Sequence, residues 1–308
     1  MLFRSPSEND FSNFNIIANK SLSVEGEIID ASLINSDLLE NKMHELGGNE
    51  ANVATGYHAI EFLLWGQDLN GTNAGSGNRP FTDFSLSNCT NKNCDRRRQY
   101  LIAATNLLVK DLEDIRYFWS NEGIARKDLI EDNSELQGIK RILTGMGSLS
   151  YGELAGERMK LGLMLHDPEE EHDCFSDNTH NSHYYNVVGI RNVYLGNYKT
   201  INNDTIMGES ISSKVAKLDK NLDVEMKNAL DNTITKMREI VKSSEEDGVT
   251  YDMLIAEGNK KGNMMIQNAV DALVIQSKKI EQVAKLLKIN NLQVEGSDSL
   301  DNPNAVFN

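Results

Sequence analysis

From Arg96 onward, apolar residues return every third or fourth position. Leu101, Ala104, Leu108, Leu112, Ile115 and Trp119 make one stripe of an amphipathic helix. The same period predicts helices over about 136–146 and 148–165, the latter stopped by Pro168, and two long helical stretches over about 210–242 and 251–288. Residues 1–50 are polar and weakly patterned, with one helix predicted near Ile28 to Leu46. Between these regions stands TGYHAIEFLLWG, Thr55 to Gly66, which reads as a buried helix because it is apolar nearly all round. Only His58 and Glu61 interrupt it. The polar regions are a Gly/Asn-rich loop from Gly66 to Pro80, an acidic, histidine-rich irregular segment from Pro168 to Tyr185, and a loop over 196–208. The tail VEGSDSLDNPNAVFN reads as disordered.

Laying Gly66 on Gly196 sets GYHAIEFLLWG against NVVGIRNVYLG, with Ile60 on Ile190 and Leu63 on Val193. Duplication and chance are equally open over so short a match. A duplication implies two similar helical bundles, of which only the first keeps the pair, since Val188 and Arg191 stand opposite His58 and Glu61.

Composition supports the helical reading. Four prolines in 308 residues, few aromatics and many Leu, Ile, Met, Lys and Glu leave little to break a helix. This is an all-α composition, with length for one large domain or two ordinary ones. Acidic side chains outnumber basic ones 46 to 31, for a formal charge of -15. That balance argues against nucleic acid as a partner and biases the surface towards cations. No run of about 18 apolar residues exists, so no transmembrane segment is predicted. The opening MLFRSPSENDFSNF has no apolar core of a signal peptide. Cys89 and Cys94 stand five apart in a polar loop, where a disulfide and a reduced pair both remain open.

His58 and Glu61, three apart, share one helix face. A carboxylate in so apolar a setting must be paired, hydrogen-bonded or bound to a metal. Arg97, Arg98 and Arg158 are candidate ion-pair partners, and a metal held by the pair is the alternative. The second informative stretch, HDPEEEHDCFSDNTHNSH, holds four of the six histidines beside Asp167, Glu169, Glu170, Glu171, Asp173 and Asp177. Imidazole with carboxylate suits Zn(II), Fe or Cu(II), whereas Ca(II) wants oxygen alone. A solvated acidic loop is the plainer reading of the same residues. The chain has no HExxH, GxSxG, phosphate-binding glycine loop or dinucleotide fingerprint, and the paired ExxH of di-iron bundles is missing.

Gly56, His58 and Glu61 spell GxHxxE, and TGYHAIEFLLWGQDL followed by NRPFTDF closely resembles the imelysin family, which includes the cyanobacterial iron-regulated protein A. RRRQYL, ELAGERM, EEEHDCFSDNTH and GIRNVYLGNY resemble later blocks of that family in the same order, over about residues 48–200. The resemblance implies an all-α fold of two related bundles, over 1–147 and 148–292, followed by the tail 293–308. The first bundle is expected to be incomplete, because family members usually have further helices, and a signal or lipoprotein peptide, before the region matching FRSPSENDF.

The resemblance also implies a divalent or ferric ion, iron or zinc, at a site combining His58 and Glu61 with Glu171, His172 and Asp177. Gly56, Arg98, Glu157, Arg158 and Ser176 are expected as motif or supporting residues. It implies a metal-binding protein of iron or haem acquisition, in the periplasm or at the outer membrane for the full-length parent, with other envelope iron-uptake proteins as partners. Some members are classed as metallopeptidases, which makes a zinc-type peptidase the second expectation. A structural scaffold that binds a partner protein is the third.

Overall fold

The computed structural model describes residues 14–24, 26–48, 52–131 and 134–307. The polar opening, residues 1–13, lies outside them. The chain divides into two compact units, one over 1–71 and 75–124, the other over 72–74 and 125–308. The division thus falls some twenty residues before the expected boundary at 147, because the helix that follows it packs with the second unit.

In the first unit an antiparallel hairpin, β1 (Ser21–Val24) and β2 (Glu27–Asp30), pairs Ser21 with Asp30 and Val24 with Glu27. A short turn of helix, α1 (Ser36–Leu38), follows. The helix predicted from Ile28 is therefore strand over residues 28–30. Leu22 and Ile29 face inward on the two strands while Ser21, Ser23 and Ile28 face out, and Gly26 takes the positive φ of 90° at the reversal. Two helices complete the unit, α2 (Gly56–Trp65) and α3 (Cys94–Phe118). The core gathers Ile16, Ile17, Leu22, Leu39, Met43, Leu63 and Tyr100. Cys89 and Cys94 form a disulfide at the start of α3, and Cys174 is a buried free thiol.

The stripe predicted along α3 is correct only for its first half. Tyr100, Ala103, Ala104 and Leu107 are buried, whereas Leu112, Ile115 and Trp119 are exposed. The core side chains of this unit reach only the first half of the helix, so the periodicity continues after its packing partners have ended.

Arg96 is the polar centre of this core. Its guanidinium is buried and donates to the carbonyls of Ile16, Ile17, Asn19, Ala31 and Ser32 at 2.5–3.2 Å. One side chain thus joins α3 to the segments on both sides of the hairpin.

The second unit starts within α4 (Ile124–Arg126) and is built on α5 (Glu135–Ser148), a continuous π-helix (Leu149–Lys160), α6 (Leu161–Leu165), α7 (Thr179–Leu195), α8 (Ile211–Leu218), α9 (Lys220–Glu245), α10 (Tyr251–Ile255), α11 (Lys260–Leu286) and α12 (Asp298–Asp301). A second hairpin, β3 (Asn197–Lys199) with β4 (Thr205–Met207), links α7 to α8. The long stretch predicted over 210–242 breaks at Asp219, whose carboxylate accepts from the N–H groups of Asn221 and Leu222 and starts a new helix. α11 packs against α9 and the π-helix, and α7 packs against α9. Met159, Met237, Ile240, Ile255, Ile266 and Leu273 lie at one core, Leu143, Tyr194, Val215 and Ile280 at another.

The tail expected to be disordered is ordered through residue 307 and straps the π-helix. Val294 lies over Gly147, Glu295 over Gly152 and Ser297 over Gly156, places where a Cβ would collide. Glu295 N–H donates to Ser148 Oγ at 3.0 Å, Ser299 Oγ to the Gly156 carbonyl at 3.0 Å, and Tyr151 Oη to Asp301 at 2.6 Å. Glycines on one helical face admit backbone that a larger residue would exclude, so a polar sequence finds its order in close approach rather than in apolar burial.

Arg96→Met keeps most of the stem volume but removes every donor. It is expected to destabilise the chain by roughly 3 kcal/mol or more, since several buried carbonyls lose their partners. Urea denaturation reads this as a lowered midpoint, and an unchanged midpoint contradicts it.

Candidate functional site

The motif helix α2 begins at Gly56, whose φ of 83° is one that glycine adopts without strain. A Cβ there would meet nothing within 4 Å, so the dihedral, not lack of space, asks for glycine. Two positions on, His58 is partly buried, and its Nδ1 lies 2.9 Å from Glu61 Oε2. Glu61 is 9% exposed. The expectation of burial all round is met on one face only. Ala59, Glu61, Phe62 and Leu63 are inside, while Tyr57, Leu64 and Trp65 are exposed.

The loop after α2 holds the motif in place. Arg79 lies over the Phe62 ring at 5.6 Å, pairs with Asp83 at 3.3 Å, and donates its backbone N–H to the Trp65 carbonyl at 2.9 Å. Asp83, 1% exposed, also accepts from Asn91 at 2.9 and 3.0 Å, and its backbone carbonyl takes Arg97 Nη1 at 3.0 Å. NRPFTDF is thus a brace between α2 and α3. Arg97 is buried in it, whereas Arg98 sits on the exposed face of α3. Burial on α3 follows 96, 97, 100, 103, 104 and 107, and position 98 falls outside that face.

A different chemistry occupies the second unit, in the loop between α6 and α7. Glu171 is buried, and neither carboxyl oxygen has a partner in hydrogen-bonding geometry. Burial pushes its pKa well above the carboxylate range, and Asp252, Asp177 and Asp173 push it the same way, while the Thr179 hydroxyl works the other way. Asp177 is 7% exposed and takes a φ of 55°. His172 is half-buried, and its ring lies 6.1 Å from that of His183. Asp173 N–H donates to Thr179 Oγ1 at 2.8 Å, which ties the loop to the first turn of α7.

His183 itself is wholly buried, with Tyr251 edge-on at 5.1 Å. Burial holds its pKa well below the usual imidazole value, and His172, Arg158 and His180 add to this. Burial likewise lowers His180, against Glu245, and raises Tyr251 with help from Glu171. A neutral imidazole beside ionisable carboxyls is a donor set for a cation, since only an unprotonated nitrogen can coordinate. Glu171, with two buried oxygens lacking hydrogen-bond partners, fits such an ion.

Of the supporting residues, Arg158 is half-buried on the π-helix, pairs with Glu153 at 3.1 Å, and offers its carbonyl to Tyr251 Oη at 3.5 Å. Ser176 is half-buried in the loop, and Glu157 is exposed. The structure therefore brings His58 to Glu61 within the first unit. It places Asp177 in the electrostatic reach of Glu171, and His172 beside His183, within the second. His183 belongs to the histidine-rich stretch read from the sequence but was not singled out as a site residue, and Tyr251 and Asp252 were not named from the sequence. The irregular segment was carried to Tyr185, yet α7 starts at Thr179, and His180 and His183 stand at the same three-residue spacing as His58 and Glu61.

The sequence profile of the imelysin family, peptidase family M75, matches residues 17–280. The chain belongs to the imelysin family. GxHxxE helix, NRPFTDF brace and histidine loop all lie within the matched residues. No curated protein matches this imelysin-family chain. A solved structure described as an iron-regulated protein A precursor from Parabacteroides distasonis superposes with a TM-score of 0.60 at 16% identity, covering 92% of this chain and 75% of that one. That likeness is one of fold. The expected fold class is confirmed, with an imelysin-like helical architecture carrying two small hairpins among the described residues.

Glu171 gives a pH test. Its folded pKa lies above the unfolded value of about 4.3, so the native state keeps a proton that the unfolded chain has released. Its contribution is fully present below that unfolded pKa and is lost as pH rises through the folded pKa. In metal-free protein, Glu171→Gln removes this loss and should be more stable than wild type at pH 7 than it is at pH 4, relative to wild type at each pH. Equal Tm differences at the two pH values contradict the assignment.

Proposed function

We propose that this imelysin-family chain is a metal-binding protein of the bacterial envelope, acting in iron or haem acquisition. The observation that carries the reading is the GxHxxE helix. It presents an imidazole and a largely buried carboxylate 2.9 Å apart, on a helix whose C-terminal end is braced by Arg79 and Asp83. Glu171, His172 and Asp177 are the further donors we assign to metal. A nitrogen–oxygen donor set suits iron or zinc, and bound metal would supply the positive charge that buried carboxylates need to ionise.

The envelope assignment draws on the Cys89–Cys94 disulfide, which suits an oxidising compartment. No helix among the described residues is long and apolar enough to cross a membrane. The iron assignment draws on the structural neighbour, described as an iron-regulated protein A precursor. Other envelope iron-uptake proteins are the partners this reading implies.

A peptidase is the second reading, favoured by the raised pKa of Glu171, a property of carboxyl groups that exchange protons near neutral pH. Cleavage of a peptide library that stops when a chelator is added would support it.

Calorimetry with Zn(II), and with Fe(II) under anaerobic conditions, tests the metal reading. Wild type is expected to bind, and the His58→Ala, Glu61→Ala double variant to bind at least tenfold more weakly. Equal affinity in the two proteins removes the GxHxxE pair from the site.

A further inference from the structure

An apolar stripe along the second half of α3 is uncovered among the described residues. Leu108, Leu112, Ile115 and Trp119 follow one another at steps of four, three and four, the spacing of the inward positions of a coiled coil. Leu112, Ile115 and Trp119 are 44%, 51% and 54% exposed. Scattered apolar residues on a surface need no explanation, whereas a row of them on one helix face marks a contact surface. The row is separate from the face that packs in the first unit. Helical geometry turns it roughly a third of a turn away from the buried line of Tyr100, Ala103 and Leu107.

The charges beside the stripe indicate what fits it. Asp111 and Arg116 stand on its two edges, roughly 70° to either side of its centre line. They are five residues apart, the separation at which the flanking positions of one helix meet those of a parallel partner. A second copy of α3 laid parallel on the first therefore sets Asp111 of each opposite Arg116 of the other, two ion pairs from one two-fold axis. Within the chain Asp111 has only a loose contact with Lys110 at 3.7 Å, and Arg116 makes no ion pair among the described residues. An antiparallel copy brings like edges together and loses the match. A lipid surface fits less well, because a helix lying on a membrane is rich in Lys and Arg, whereas Asp111, Glu113 and Asp114 outnumber Lys110 and Arg116 here, in a chain of net charge -15.

We propose that the chain self-associates by pairing the second half of α3 with the same segment of a second copy, in parallel. Leu112, Ile115 and Trp119 fill the seam, and the Asp111–Arg116 pairs fix its register and direction. Residues 108–119 span about 18 Å of helix, so the contact buries on the order of 1,000 Å² in total, and the dimer is weak and reversible. None of the residues assigned to metal lies on this segment, so the pairing is independent of the metal reading.

Sedimentation velocity on the full chain tests the proposal, with a chelator present so that metal-bridged association does not imitate it. From low micromolar to submillimolar protein, wild type is expected to pass from monomer to dimer. The Leu112→Lys, Ile115→Lys double variant, changed only at exposed positions, is expected to stay monomeric. Arg116→Asp should weaken the dimer at least about tenfold, since it sets like charges together twice, and adding Asp111→Arg should restore it. A wild-type chain that stays monomeric throughout overturns the proposal, whether or not it binds lipid vesicles or another protein. So does an assembly larger than a dimer, a dimer unaffected by the two lysines, or one indifferent to Arg116→Asp. Should the lysine variant fail to fold, the charge reversals decide: recovery of the dimer in the Asp111→Arg, Arg116→Asp chain supports the pairing, and no recovery overturns it.

Discussion

The guanidinium of Arg96 collects five backbone carbonyls from segments far apart in sequence, and the first unit is arranged around it. A unit of this kind, with a two-stranded hairpin and two main helices, has little apolar area to spend, so one fully satisfied cation does much to specify which segments meet. The constraint behind it is general: a polar group taken out of water has to find its complement inside the fold. Asp83 obeys the same rule, receiving Arg79 and Asn91 at its carboxylate and Arg97 at its backbone carbonyl. These contacts fix the C-terminal end of α2, the helix on whose first two turns His58 and Glu61 stand.

In the second unit the constraint is met differently. Asp223 is buried and fully engaged, accepting from Tyr194, Ser212 and Lys227. Those bonds outweigh its burial and hold its pKa below the usual carboxylate value. Glu171 has a comparable degree of burial, acidic neighbours and an opposite shift. The contrast between the two carboxylates separates a structural role from a candidate binding role more sharply than sequence type or burial could.

The helices were legible from periodicity, since the apolar stripes of 136–146, 210–242 and 251–288 are the stripes that pack. GxHxxE was legible as one charged pair in apolar surroundings, and its helix forms where expected. The misses have separate physical causes. Helical spacing on α3 outruns its packing partners, and residues 28–30, the end of a strand only four residues long, were taken for the start of a helix. Arg98 was chosen over Arg96 because three arginines in a row give no clue to which face is inside until the core is placed. His183 was visible only as one of four histidines in a polar stretch, and Asp252 was hidden, because their burial depends on neighbours distant in sequence.

The strap across the π-helix has a consequence for the order of events in folding. Its contacts join residues 147–156 to residues 294–301, among the most distant in sequence that the second unit makes. During synthesis the π-helix is complete long before those residues emerge, and its glycine face stays uncovered until they do. Long-range closure of this kind comes late. The helix that offers the Arg158 carbonyl to Tyr251 is therefore sealed by nearly the last residues made, so a chain interrupted after residue 256 but before residue 294 carries Glu171, His172 and Asp177 and yet lacks the piece that covers the glycine face of that helix.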